Sequence, residues 1–194
     1  MAAIIEELGL DRPVLVGWSY GAFVISDSVR AYGQDRIAAI DFVEGAVKLG
    51  ETAFGALIGP RLPRPLRGRH RRRSAGQHRR HALLRADMHR QASAHDDLQT
   101  AVCWNVTVPA TIRAHLAARE IDCDDVLRTL RVPPLLVTQG RADTVVLPAM
   151  ADHVLATYPT AEASWYNGVG HVPHLEEPER FYRELAELTR RPPA

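Results

Sequence analysis

The chain has 194 residues, is 46% hydrophobic, and carries 24 basic and 23 acidic residues for a formal net charge of +1. That length and apolar content suffice for one sizeable core in one domain, and no apolar stretch approaches the roughly 20 residues of a membrane-spanning helix. The first residues, Met1-Ala2-Ala3-Ile4-Ile5-Glu6-Glu7, put acid where a secretory signal carries positive charge.

A short helix over about residues 2–8 leads into the apolar run Val14-Leu15-Val16, which reads as a strand buried on both faces. Gly17-Trp18-Ser19-Tyr20-Gly21 follows, and Ala22-Phe23-Val24-Ile25 opens a helix running to about Tyr32. A G-x-S-x-G signature between strand and helix is a nucleophile elbow: the serine takes a strained backbone conformation that lifts its hydroxyl off the strand end, and small residues two positions either side allow strand and helix to approach. Ile37 to Val43 reads as the next strand, with Glu44 at its end.

The pattern then breaks. Pro60 to His81 is a mixture of Pro, Arg, Gly, His and Ser without a period, and Arg61 to Arg90 holds eleven arginines against one acid, Asp87. Phosphate contacts to nucleic acid or to an anionic membrane would suit such a run, but it has no interleaved aromatics and no reading motif. His70, His78, His81 and His89 lack cysteine or carboxylate partners at ligand spacing, which argues against a metal site. Neither nucleic acid nor membrane is expected as a partner.

Regular patterning resumes with helices over 96–104, 109–119 and 122–130, the second with a proline at its start. Leu135 to Gln139 reads as a strand ending in Gly140-Arg141-Ala142-Asp143; a helix over 148–158 and a strand over 163–166 follow. Gly168-Val169-Gly170-His171 and a closing helix over 178–190 complete the chain. Strands and helices alternate, which predicts a parallel sheet with right-handed crossovers.

Ser, Asp and His thus occur in that order, each at a strand end. The order, the elbow, the strand Val132-Pro133-Pro134-Leu135-Leu136-Val137-Thr138-Gln139-Gly140 and the ending His171-Val172-Pro173-His174-Leu175-Glu176-Glu177-Pro178-Glu179-Arg180-Phe181 resemble the α/β-hydrolase family. The resemblance is to its small esterase-like and cofactor-free haloperoxidase-like members, over residues 1 to about 60 and about 95 to 190. It implies an α/β fold with helices on both faces of a parallel sheet and a helical cap insertion. It further implies Ser19 as nucleophile, His171 as general base, Asp143 as the carboxylate orienting that imidazole, and the Tyr20 backbone N–H as an oxyanion donor. Trp18 and Trp104 are the expected lining of the substrate pocket, and no cofactor or metal is implied. Other assignments stay open: Ser19 as a helix cap, Asp143 as a turn residue, His174 as the base, and Glu44 as a rival acid, since some relatives place the acid after that strand.

Two departures from the family pattern stand out. Relatives carry about four strands and a helix ahead of the serine, including the loop with the second oxyanion donor, where this sequence shows one helix. An amino-terminally truncated sheet is therefore expected, with residues 14–17 at an open edge prone to self-association. The arginine-rich segment is the other departure, since relatives have helical cap sequence there. Lys48 is the chain's only lysine, and out-of-frame reading of DNA rich in G and C yields such a mixture, so a compensated frameshift over 61–94 is expected, leaving that part irregular or disordered. The organisation is thus a core part over 1–60, a cap insertion over 61–130 and a second core part over 131–194. Cys103 and Cys123 read as reduced thiols of a cytoplasmic protein. The expected activity is hydrolysis of a small acyl substrate, the alternative an inactive remnant or interaction module.

Overall fold

The computed structural model describes residues 1–60, 107–131 and 135–191. The irregular segment expected over 61–94, the helix over 96–104, and Trp104 and Cys103 lie outside the described residues. The elements in chain order are α1 (Ala2–Glu7), β1 (Val14–Trp18), α2 (Gly21–Tyr32), β2 (Ala39–Val43), β3 (Lys48–Leu49), α3 (Ala110–Ala117), β4 (Ile121–Asp122), α4 (Asp124–Thr129), β5 (Leu135–Gly140), α5 (Pro148–Thr157), β6 (Glu162–Tyr166), α6 (Pro173–Glu176) and α7 (Pro178–Arg190).

Four strands form a parallel sheet in the order β1-β2-β5-β6. The two central strands are buried along their whole length, as their near-continuous apolar sequences require when both faces are covered. Side-chain alternation divides the core. Ile40 and Phe42 of β2 with Leu135 and Val137 of β5 join the large cluster against α2 and α5, whereas Ala39 and Leu136 join the small cluster against Leu188 of α7.

Polar contacts extend that second face. Thr138 Oγ1 donates to Asp41 Oδ1 at 3.0 Å, and Glu184 of α7 accepts from Ser164 Oγ at 2.7 Å and Tyr166 OH at 2.8 Å. Burial pushes the Asp41 carboxyl up to about 7, against the Thr138 hydrogen bond and with the charge of Glu184. Arg180 lies over the Tyr166 ring at 3.8 Å and pairs with Glu184 at 2.8 Å.

Among the described residues β1 pairs only with β2, so it forms one edge of the sheet. Leu15 and Gly17 are buried, while Val16 and Trp18 are 44% and 40% exposed on the α7 side. The strand is therefore covered on one face, not two.

β3 and β4 form a separate antiparallel pair, Lys48 opposite Asp122 and Leu49 opposite Ile121. Nothing in the sequence marks these two-residue strands. Cys123 N donates to Val47 O at 3.0 Å beside them, and Lys48 Nζ holds Asp122 at 2.6 Å and Asp124 at 3.0 Å. Pro109 caps α3 from outside it, in an extended conformation, rather than occupying its first turn.

Candidate active site

β1 ends at the elbow. Ser19 takes φ 54, a left-handed conformation that a residue with a Cβ adopts at a cost of roughly 1–3 kcal/mol. Its N–H donates to Val43 O at 2.9 Å, extending the ladder with β2, and its carbonyl accepts from Ala22 N and Ala46 N. The strain is thus held from both sides. Gly17 makes the turn possible, since a Cβ there would stand 2.7 Å from Ile25 Cδ1 and 2.9 Å from the Gly21 carbonyl carbon. Gly21, the other small residue of the signature, has open space around it, so close approach needs only the first.

Tyr20 caps α2 with no side-chain hydrogen bond to the helix. Ser19 is therefore not its capping side chain. In this turn Ala22, Phe23 and Val24 donate to the carbonyls of Ser19 and Tyr20, while no backbone acceptor among the described residues takes the Tyr20 N–H. A backbone donor at a helix amino terminus, one residue beyond the serine, is where negative charge is favoured.

β5 and β6 bring the acid and the histidine together. His171 Nδ1 and Asp143 Oδ2 are 2.7 Å apart, with the two side chains 2% and 0% exposed. Asp143 Oδ1 accepts from Val145 N at 2.7 Å and Val146 N at 3.2 Å, which fixes the carboxylate. Gly140 lets the two loops meet, because a Cβ there would lie 2.4 Å from the carbonyl oxygens of Val169 and Gly170. Across this junction Arg141 N donates to Tyr166 O and Ala142 N to Val169 O. Asp143 is thus a partner of the imidazole and not only a turn residue.

His174, the other histidine of that loop, sits on α6 with its ring against Trp18 and Phe181. Among the described residues no hydrogen bond joins the Ser19 hydroxyl to His171. Catalytic contacts are often loose without substrate and tighten on binding.

Two residues were expected to line the substrate pocket. Trp104 is outside the described residues. Trp18 flanks Ser19 in sequence, but alternation along β1 turns it to the α7 face, where it lines an apolar groove of about 280 Å³ with Val16, Val43, Phe181, Tyr182 and others, Ser19 not among them. Its Nε1 donates to His171 O at 2.8 Å and its ring lies 5.5 Å from that imidazole. Trp18 thus buttresses the histidine loop from behind.

Two further contacts border the site. Arg119, beyond α3, donates to Tyr20 OH at 2.8 Å. Glu44, weighed above as a rival to Asp143, instead accompanies it: Glu44, Asp143 and His171 are all buried, with donor atoms within 4.8 Å of one another. Such a trio is close enough to hold a cation. Its oxygens, however, are already met by N–H donors, since Gly140 N donates to Glu44 Oε1 at 2.6 Å and Gln139 Nε2 to Oε2. Neither contact was legible without the neighbouring chain segments.

Residues 1–184 match the model of the Alpha/beta hydrolase family. The chain belongs to this family. An esterase from Rhodococcus sp. ECU1013 is 26% identical, with a TM-score of 0.86 over 97% of this alpha/beta hydrolase family chain and 70% of the esterase. A carboxylesterase, CesB, from Bacillus subtilis is 18% identical with a TM-score of 0.69, covering 98% of this chain and 64% of that one. A bromoperoxidase from Bacillus anthracis is 16% identical with a TM-score of 0.69, covering 98% and 71%. At these two lower identities the likeness concerns the fold. No curated protein matches the sequence. No helix among the described residues is long and apolar enough to cross a membrane.

Proposed function

We propose that this alpha/beta hydrolase family member is a serine hydrolase of small carboxylic esters or related acyl compounds, working through an acyl-enzyme. The observations that carry the reading are a serine at φ 54 on one strand end and a buried Asp143–His171 pair 2.7 Å apart on the loops that follow two others. The Rhodococcus neighbour, itself an esterase, supports the substrate class.

With Nδ1 engaged by Asp143, Nε2 is the nitrogen left to serve the serine as base. Ser19 Oγ attacks the acyl carbon as its proton passes to His171, and the Tyr20 N–H stabilises the oxyanion. The imidazolium returns the proton to the leaving alcohol. Water then attacks the acyl-enzyme by the same route in reverse. Serine rather than a carboxylate at the elbow favours acyl transfer over carbon–halogen or epoxide opening. The buried free thiol of Cys123 suits a reducing, cytoplasmic setting.

A second reading is a family member that binds but does not turn over. The single-sided cover of β1, with Val16 and Trp18 exposed, favours it and makes this edge a surface for a second copy. Labelling of the purified 194-residue chain with a fluorophosphonate separates the two. Labelling that disappears in Ser19→Ala and on heat denaturation establishes an activated serine. A folded chain that does not label refutes the hydrolase reading.

A further inference from the structure

Glu44 takes no part in the chemistry set out above, yet no carboxylate in the described structure is more deeply buried, its exposure being 0%. It ends β2 at φ 48, and its N–H donates to Thr138 O at 2.8 Å. The strained turn aims the side chain across β5 at the acid loop, where a non-glycine residue in this conformation is kept only if its surroundings hold it there. Gly140 N and Gln139 Nε2 meet its two oxygens, and a carboxyl oxygen lies within 4.8 Å of both an Asp143 oxygen and an imidazole nitrogen of His171.

Two carboxylates this close and this dry do not both ionise without a fixed cation between them. Among the described residues the ionisable groups that face Glu44 are Asp143 from the loop after β5, His171 from the loop after β6, and Glu176 from α6. None of these is a fixed cation, and Glu176 is itself engaged by Gly170 N at 2.9 Å. Asp143 has the better claim to the charge, because Val145 N, Val146 N and His171 all face its two oxygens. Burial first, and then the neighbouring Asp143, hold the Glu44 carboxyl well above the usual carboxylate range.

We propose that Glu44 is a neutral carboxylic acid that donates a hydrogen bond to Asp143, so that the acid partner of His171 is a carboxyl–carboxylate pair bearing one negative charge. The proposal rests on the Ser19–His171–Asp143 reading for its role in catalysis, but not for the protonation itself. Glu44 is then a positioning residue acting through Asp143. It fixes the carboxylate and limits the charge facing the imidazole to one.

Infrared difference spectra of the whole chain against Glu44→Gln near neutral pH test the protonation without turnover. A protonated-carboxyl carbonyl band present in the parent and lost in Glu44→Gln is expected; Asp41 occurs in both proteins and cancels. No such band, or one that survives Glu44→Gln, overturns the proposal. Fluorophosphonate labelling tests the role: Glu44→Gln, whose neutral amide can still donate to Asp143, labels Ser19 faster than Glu44→Ala and with the parental pH profile. Glu44→Ala labels about 10-fold more slowly, as loss of a hydrogen bond to a charged group predicts. A Glu44→Gln as slow as Glu44→Ala would show that the glutamate acts as an anion and overturns the proposal. If the parent does not label at all, the hydrolase reading fails while the infrared band still decides the pairing. If Glu44→Ala does not fold, Glu44→Gln carries both measurements.

Discussion

Gly140→Ala is expected to damage the site through a single methyl group. The added Cβ would stand 2.4 Å from Val169 O and Gly170 O and 2.9 Å from Glu44 Oε1, whereas ordinary contact begins at 3.4 Å. Gly140 is not among the residues at positive φ, so the backbone accepts alanine and the effect is steric. Two of the three atoms are main-chain oxygens, which cannot swing aside as a side-chain tip can. The histidine loop must therefore retreat by about 1 Å, and overpacking of this kind costs about 1–3 kcal/mol. For a chain of this size that corresponds to a fall in Tm of about 2–12 °C. The same retreat would stretch the 2.7 Å His171–Asp143 contact beyond hydrogen-bonding reach, and a displacement of about 1 Å at a catalytic group costs on the order of 100-fold in rate. Differential scanning fluorimetry and the rate of fluorophosphonate labelling read the two effects on one preparation. An unchanged Tm with an unchanged labelling rate would refute the claim that the acid and histidine loops meet at this glycine.

The two elbow glycines should respond in opposite ways. Gly17→Ala forces a Cβ to within 3.0 Å of three atoms of α2 and its start and should lower stability in urea by about 1–3 kcal/mol. Gly21→Ala, with nothing within 4 Å, should leave stability unchanged or raise it by about 0.4–1 kcal/mol by restricting the unfolded chain. Equal effects would contradict this account of the turn. Asp41 gives a pH signature. With its folded value raised from 3.8 to about 7, the native state holds a proton that the unfolded chain releases, so this contribution is complete below about pH 4 and is lost as pH rises to about 7. Asp41→Asn removes the titration, so relative to the parent its Tm should climb across that window and level off above it; parallel Tm curves would contradict the assignment.

Residues whose signals are local were legible in the sequence. The run Val14-Leu15-Val16 before G-x-S-x-G, the helix from Pro178 to Arg190 and the strand from Leu135 lie where pattern and turn chemistry put them, because periodicity and punctuation act over a few neighbours. Contacts between distant segments were not. Glu44 reads as a competitor of Asp143 when each is considered alone, and only the adjacency of β2 and β5 makes them partners. Trp18 reads as a pocket residue from its place beside Ser19, but strand alternation, once β1 has its register, sends it to the opposite face. The β3–β4 pair joins residues more than seventy positions apart through two residues on each side, too few to leave a pattern.

That small pair has a consequence for what the chain can tolerate. Lys48 and Leu49 on one side and Ile121 and Asp122 on the other are zipped together and pinned by Lys48 to Asp122 and Asp124, and Ile58, bridged to Val146, and Arg119, bonded to Tyr20, tether the chain again just beyond them. Closing a loop between tethered ends costs little more when the loop grows, about 0.6 kcal/mol for each doubling of its length. Ala53, Phe54 and Ile58 belong to the core and Arg119 meets Tyr20, so a change of length at that small cost is expected only for the sequence between them, with the sheet carrying Ser19, Asp143 and His171 keeping its register. In engineering terms the fold offers a socket, into which new specificity elements can be plugged without redesigning the frame.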